Sequence, residues 1–93
     1  MHFSKEEITR MVGNKIREMR TKKNKTIENV ALDAGMEYTQ LSRIERGKIN
    51  TGVYHIYRIA RSLGIKVHEI FYDLPPSEKR QEAKQNEQKK SPS

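Results

Sequence analysis

The chain has 93 residues, with 19 lysines and arginines against 12 acids, a formal net charge of +7 and no cysteine. That length allows one small domain and a tail rather than two domains, and the missing cysteines exclude a disulfide framework or a thiolate metal site. The positive excess favours a polyanionic partner, nucleic acid ahead of an anionic membrane surface.

Residues 1–74 divide by period and punctuation into five helical segments, with no convincing strand and no internal repeat. The first opens on "SKEE", a capping box with Ser4 as N-cap and Glu7 three residues into the helix. Ile8, Met11, Val12, Ile16 and Met19 follow at helical spacing, with Gly13 a mild interruption. Thr26 is suited to cap a short second helix bearing Val30, Ala31 and Ala34, and Gly35 ends it with the left-handed residue such a turn needs. The third carries Leu41 and Ile44 and stops at Gly47. The fourth begins near Thr51, which serves as its cap, with Val53, Ile56, Ala60 and Leu63 facing inward and Gly64 terminating it. A short fifth helix holds Val67, Ile70 and Phe71 before Pro75 and Pro76 close the domain.

Beyond it, residues 75–93 contain one alanine and no larger apolar side chain, so nothing there offsets the entropy of ordering the backbone. We read them as a disordered polar tail of net charge +2, five basic and three acidic, which leaves +5 on residues 1–74. His2, His55 and His68 are scattered without ligand spacing, so neither a metal nor another cofactor is expected. Nucleophile–base pairs and phosphate-cradling glycine loops are also missing, which argues against an enzyme. No apolar run reaches the length of a membrane span or a signal peptide, and the expected location is the cytoplasm.

The informative feature is the pair of short helices joined through Gly35, with the pattern A-x3-G-x5-L-x2-I from Ala31 to Ile44. A small residue at Ala31 lets the next helix cross closely, and Leu41 and Ile44 pin that helix to the core with its other face outward. This is the geometry of a helix-turn-helix, whose second helix enters a DNA major groove. The same residues suit an ordinary helical hairpin in a small bundle, and spacing does not choose between the two.

The run "TIENVALDAGMEYTQLSRIERGKINT", followed by "IYRIARSLGI", resembles the lambda-repressor-like, or XRE, helix-turn-helix family over about Val12 to Tyr72. The resemblance implies a compact, all-α five-helix bundle that binds double-stranded operator DNA, usually as a homodimer on two-fold symmetric sites. Such domains are common in bacterial and phage regulators. It implies base reading from Tyr38, Thr39 and Arg43, on a recognition helix spanning Tyr38 to Arg46. Arg43 is the strongest candidate, because a guanidinium pairs in bidentate fashion with guanine O6 and N7. Thr39 suits a thymine methyl or a hydrogen bond, and Gln40 suits either an adenine or a phosphate.

Ser42, Arg46, Lys48, Asn50 and Thr51, with Thr26 at the second helix, are the expected phosphate contacts around that helix. Lys22, Lys23 and Lys25 either approach the backbone or are simply solvated. Glu45 adjoins buried Ile44, and the family's usual arginine partner is matched by Arg20, so an Arg20–Glu45 ion pair is expected to orient the first helix against the third.

Three positions depart from the family pattern. Ile27 replaces a frequent phosphate-contacting glutamine, Thr51 a frequent proline, and Glu37 a serine or threonine. Glu37 falls at the N-cap of the recognition helix, where a carboxylate satisfies free N–H groups and faces the helix dipole favourably. On DNA it would repel phosphates unless it accepts a bond from a cytosine amine. Exposed members of the set Tyr54, Tyr57, Phe71 and Tyr72 would form a self-association patch, with residues 2–11 a second option. A transcriptional regulator, acting as a repressor, is the leading reading. The alternative is an antitoxin or protein-interaction module on the same scaffold, although the tail lacks the apolar anchors such a segment needs.

Overall fold

A computed structural model describes residues 3–76. The expected polar tail lies outside these residues, apart from Pro75 and Pro76. Five helices and no strand occur among the described residues: α1 Lys5–Lys22, α2 Ile27–Ala34, α3 Tyr38–Glu45, α4 Val53–Leu63 and α5 Val67–Phe71. The fold is thus all-α, and none of these helices is long and apolar enough to cross a membrane.

The helix starts follow the side chains available. Ser4 Oγ accepts the Glu7 N–H at 3.0 Å while the Glu7 carboxylate accepts the Ser4 N–H at 2.8 Å, closing the expected capping box. Those bonds hold the Glu7 carboxyl below the usual carboxylate range, so its contribution to α1 is present at neutral pH and is lost as pH falls through the lowered value. Thr26 and Asn29 cap α2 in the same reciprocal way.

The ends of α1 to α4 share one device. A residue in the left-handed conformation, Asn24, Gly35, Gly47 or Gly64, follows each helix. The next N–H then reaches back five residues: Lys25 to Arg20, Met36 to Ala31, Lys48 to Arg43 and Ile65 to Ala60.

Ile16, Val30, Leu41, Ile59, Leu63 and Ile70 are the largest fully buried side chains, joined by Ala31, Ala34, Ile44, Ile56 and Ala60. α4 packs between α2 and α5, while α1 lies across α3 and α5. Gly13 lies buried where α1 crosses α3: a Cβ there would overlap the Ile44 carbonyl oxygen and lie 2.8 Å from that of Glu45. What read as an interruption of α1 is the point of closest approach between the two helices.

Three expectations about local structure are corrected. Thr51 does not cap α4: Gly52 holds the extended N-cap conformation, and the Thr51 hydroxyl instead meets His55 Nδ1 at 3.3 Å. Val53 is 84% exposed. It keeps the stripe of Ile56 but sits in the first turn of α4, where it borders an open apolar groove with Ile8, Val12, Ile49, Val67 and Phe71. Ile59, not singled out in the sequence, takes a central core position. At α3, Glu37 is the N-cap residue as expected, but its side chain makes no cap hydrogen bond.

Candidate nucleic-acid interface

α3 is held by its buried face alone. Leu41, Ile44 and Glu45 are buried, while Tyr38, Thr39, Arg43 and Arg46 are exposed. Thr39 and Arg43, one helical turn apart, form the centre of the outward face. Tyr38, 54% exposed, stands at the end nearest α2 and shares a shallow recess with Glu28, Asn29 and Leu32. Gln40 and Ser42 are half-buried on the two flanks. Glu37 is exposed just before the first turn.

The orientation of that face is set by a network behind it. Arg20 Nε donates to Glu45 Oε2 at 2.7 Å and Nη2 to Oε1 at 3.0 Å, a bidentate pair with side chains 11% and 3% exposed. Hydrogen bonding to Glu45 raises the Arg20 pKa against the opposing effect of burial. Arg20 Nη1 also donates to the Lys25 carbonyl at 2.8 Å, and Lys25 Nζ to the Ser62 carbonyl at 3.2 Å in the last turns of α4. One chain of bonds therefore runs from α3 through α1 and the α1–α2 loop to α4. Lys25, read as a solvated or phosphate-facing charge, belongs to this chain.

Arg58 was not singled out in the sequence. Its Nε donates to the Ala34 carbonyl at 2.6 Å, closing the end of α2, and its Nη1 donates to the Tyr54 hydroxyl at 3.0 Å. The available signal was an arginine one helical turn after Tyr54, but nothing in the sequence tied it to Ala34.

The expected phosphate contacts frame α3 on separate sides. At α2, the Thr26 hydroxyl is committed to Asn29, donating to Oδ1 at 2.8 Å and accepting from the backbone N–H at 3.0 Å. At the other end, Arg46 Nε donates to the Ser42 carbonyl at 3.3 Å, and Lys48 and Asn50 are exposed in the α3–α4 loop. Gly52 contributes no side chain at the start of α4, so the first N–H groups there lack a side-chain acceptor. The turn needs Gly47: its φ is +71°, and a Cβ there would come within 2.8 Å of Arg10 Cα.

Comparison with known proteins agrees with this geometry. The model of the helix-turn-helix family (HTH_3) matches residues 16–70, more than half of the chain. The control protein C.MunI of a Mycoplasma species is 33% identical over 63 residues, covering 67% of this chain and 85% of that protein. The HTH-type transcriptional regulator y4dJ of Sinorhizobium fredii is 31% identical over 64 residues, covering 69% of this chain and 83% of its own. Among solved structures, the restriction-modification controller C.AhdI from Aeromonas hydrophila superposes with a TM-score of 0.67 at 30% identity, over 68% of this chain and 96% of that one. The chain belongs to the XRE-type helix-turn-helix family of DNA-binding transcriptional regulators, which are not enzymes.

Proposed function

We propose that this regulator is a repressor that binds a two-fold symmetric operator as a homodimer in the cytoplasm, each subunit laying α3 in a major groove. The observation that carries the reading is the uncovered face of Tyr38, Thr39 and Arg43 on a helix whose back is fixed by the Arg20–Glu45 pair. Arg43 is assigned to a guanine, Thr39 to a thymine methyl or a base hydrogen bond, and Tyr38 to the base edges at the α2 end. Gln40, half-buried, is assigned to the flank of the contact, on an adenine or a phosphate, and Glu37 to a cytosine amine. Ser42, Arg46, Lys48, Asn50, Thr51 and the start of α2 at Thr26 fix the register through phosphates. With its hydroxyl engaged, Thr26 acts through the free N–H groups of the turn it caps.

For the dimer we assign the face of α4 and α5 that exposes Val53, Tyr54, Tyr57 and Phe71. A two-fold interface uses the same patch on both subunits, and this one places a projecting Val53 at the edge of its own apolar groove. No specific observation favours the antitoxin or protein-interaction reading.

Selection of binding sites from a random DNA pool tests the proposal. The expected product is an inverted repeat bound at about 10⁻⁸–10⁻¹¹ M, roughly 10³-fold or more above random duplex. Uniform, weak and steeply salt-dependent binding to every duplex would reduce the protein to a non-specific DNA binder.

A further inference from the structure

The two ends of α3 are held differently. Its last residue, Glu45, is clasped by Arg20, whereas Glu37 at its start makes no side-chain cap bond. The start is therefore placed by the turn from Gly35 to Glu37, and a residue of α4 lies against that turn.

α2 enters the turn with no basic residue in its last turn, where Asp33 instead presents an exposed carboxylate. The free carbonyls and the negative end of the helix dipole call for a cation there. Arg58 supplies it from across the α2–α4 contact, its Nε donating to the carbonyl of buried Ala34 at 2.6 Å. Its Nη2 lies over Gly35, so near that a Cβ on that residue would stand 2.8 Å away. Its Nη1 donates to the Tyr54 hydroxyl at 3.0 Å, and the guanidinium carbon is 5.7 Å from the centre of the Tyr54 ring. Tyr54 and Arg58 are one helical turn apart, so the ring fixes where the guanidinium points. Among the described residues Arg58 forms no salt bridge that would draw it elsewhere.

We propose that Arg58 is the positioning residue for the start of the recognition helix, with Tyr54 holding its guanidinium in place. Two arginines then set the two ends of α3, Arg20 from α1 and Arg58 from α4. This role rests on α3 reading base pairs, and it bears on Tyr38 and Thr39 in the first turn more than on Arg43.

The test is the ratio of affinity for a selected operator to affinity for random duplex, with single-base-pair operator variants. Arg58→Met keeps an unbranched stem and removes every donor. It should lower the ratio by about three- to thirtyfold, mostly at the base pairs nearest the start of α3, with the salt slope unchanged. Arg58→Lys keeps the charge without the fork and should show a smaller loss, covering the case in which Arg58→Met does not fold. Tyr54→Phe, at an exposed position, should give a small loss that disappears once Arg58 is replaced.

An unchanged ratio in the Arg58 variants, or a loss equal at every base pair, would overturn the proposal by leaving Arg58 a stabiliser of the whole fold. A salt slope lowered by about 1 would make Arg58 a phosphate contact and overturn it too. So would a Tyr54→Phe loss of full size in the absence of Arg58. A wild type with no preferred operator would instead refute sequence-specific reading, and amide hydrogen exchange would then decide the role of Arg58. The Met36 and Leu41 amides, bonded to the Ala31 and Glu37 carbonyls, should exchange faster in Arg58→Met relative to that of Arg46 at the far end of α3; an unchanged ratio would overturn the proposal.

Discussion

At the scale of single residues, the interface divides into groups that are free to read DNA and groups already engaged in holding the fold. Arg43 and Thr39 are free; Thr26, Lys25 and Arg58 are engaged. Glu37 is the unusual member, a carboxylate beside the face proposed to meet DNA. It makes no cap bond here, so Glu37→Gln should leave folding stability within about 0.5 kcal/mol. Removing its charge should raise affinity for random duplex and either spare or relax preference at one base pair. Paired thermal melts and binding titrations check this; weaker binding to random DNA would assign Glu37 to the helix start alone. Glu45 is the opposite case. Glu45→Ala strands the Arg20 guanidinium with little solvent access and should cost about 3 kcal/mol in denaturant unfolding, with a parallel loss of operator affinity. If both quantities stay at wild-type values, the pair does not orient α3.

At the scale of elements, the crossing of α1 over α3 decides where the recognition face points. Gly13→Ala tests it, because two effects oppose each other. Alanine favours a helix over glycine by about 1 kcal/mol, but its methyl would overlap the Ile44 carbonyl. The overlap should win, lowering stability by about 1–3 kcal/mol and displacing α3. A stabilised Gly13→Ala protein would mean that the helices do not approach as closely as described. This contact also marks the limit of what a sequence reveals. Caps and stops depend on neighbours within five residues, so Ser4, Thr26, Gly35, Gly47 and Gly64 could be assigned before any coordinates. Gly13 depends on residues about thirty positions away, and a lone glycine in an amphipathic helix carries no sign of them. Val53 failed for a related reason: the helical period fixes which side a residue faces, but not whether core remains opposite it.

At the scale of the whole molecule, the domain is a hydrogen-bonded frame presenting one short helix. The bonds from Glu45 through Arg20 and Lys25 to Ser62 link α3, α1, the α1–α2 loop and α4 without using an outward side chain of α3. Substitutions on that outward face would leave these bonds intact; the family was legible from "LSRIERGK" and "IARSLG", although the operator was not. Glu45 and Arg20 could be paired through the family resemblance; the bond from Lys25 to the Ser62 carbonyl could not be foreseen, because the two residues meet only once the helices are packed together.

The central claim is that α3 reads base pairs, and Arg43→Gln measured against a selected operator and its single-base-pair variants tests it most directly. The account predicts that discrimination at one base pair falls by about 1–3 kcal/mol while affinity for random duplex changes little. An equal loss on operator and random duplex, with every base preference retained, would show that Arg43 touches only the backbone and would contradict it.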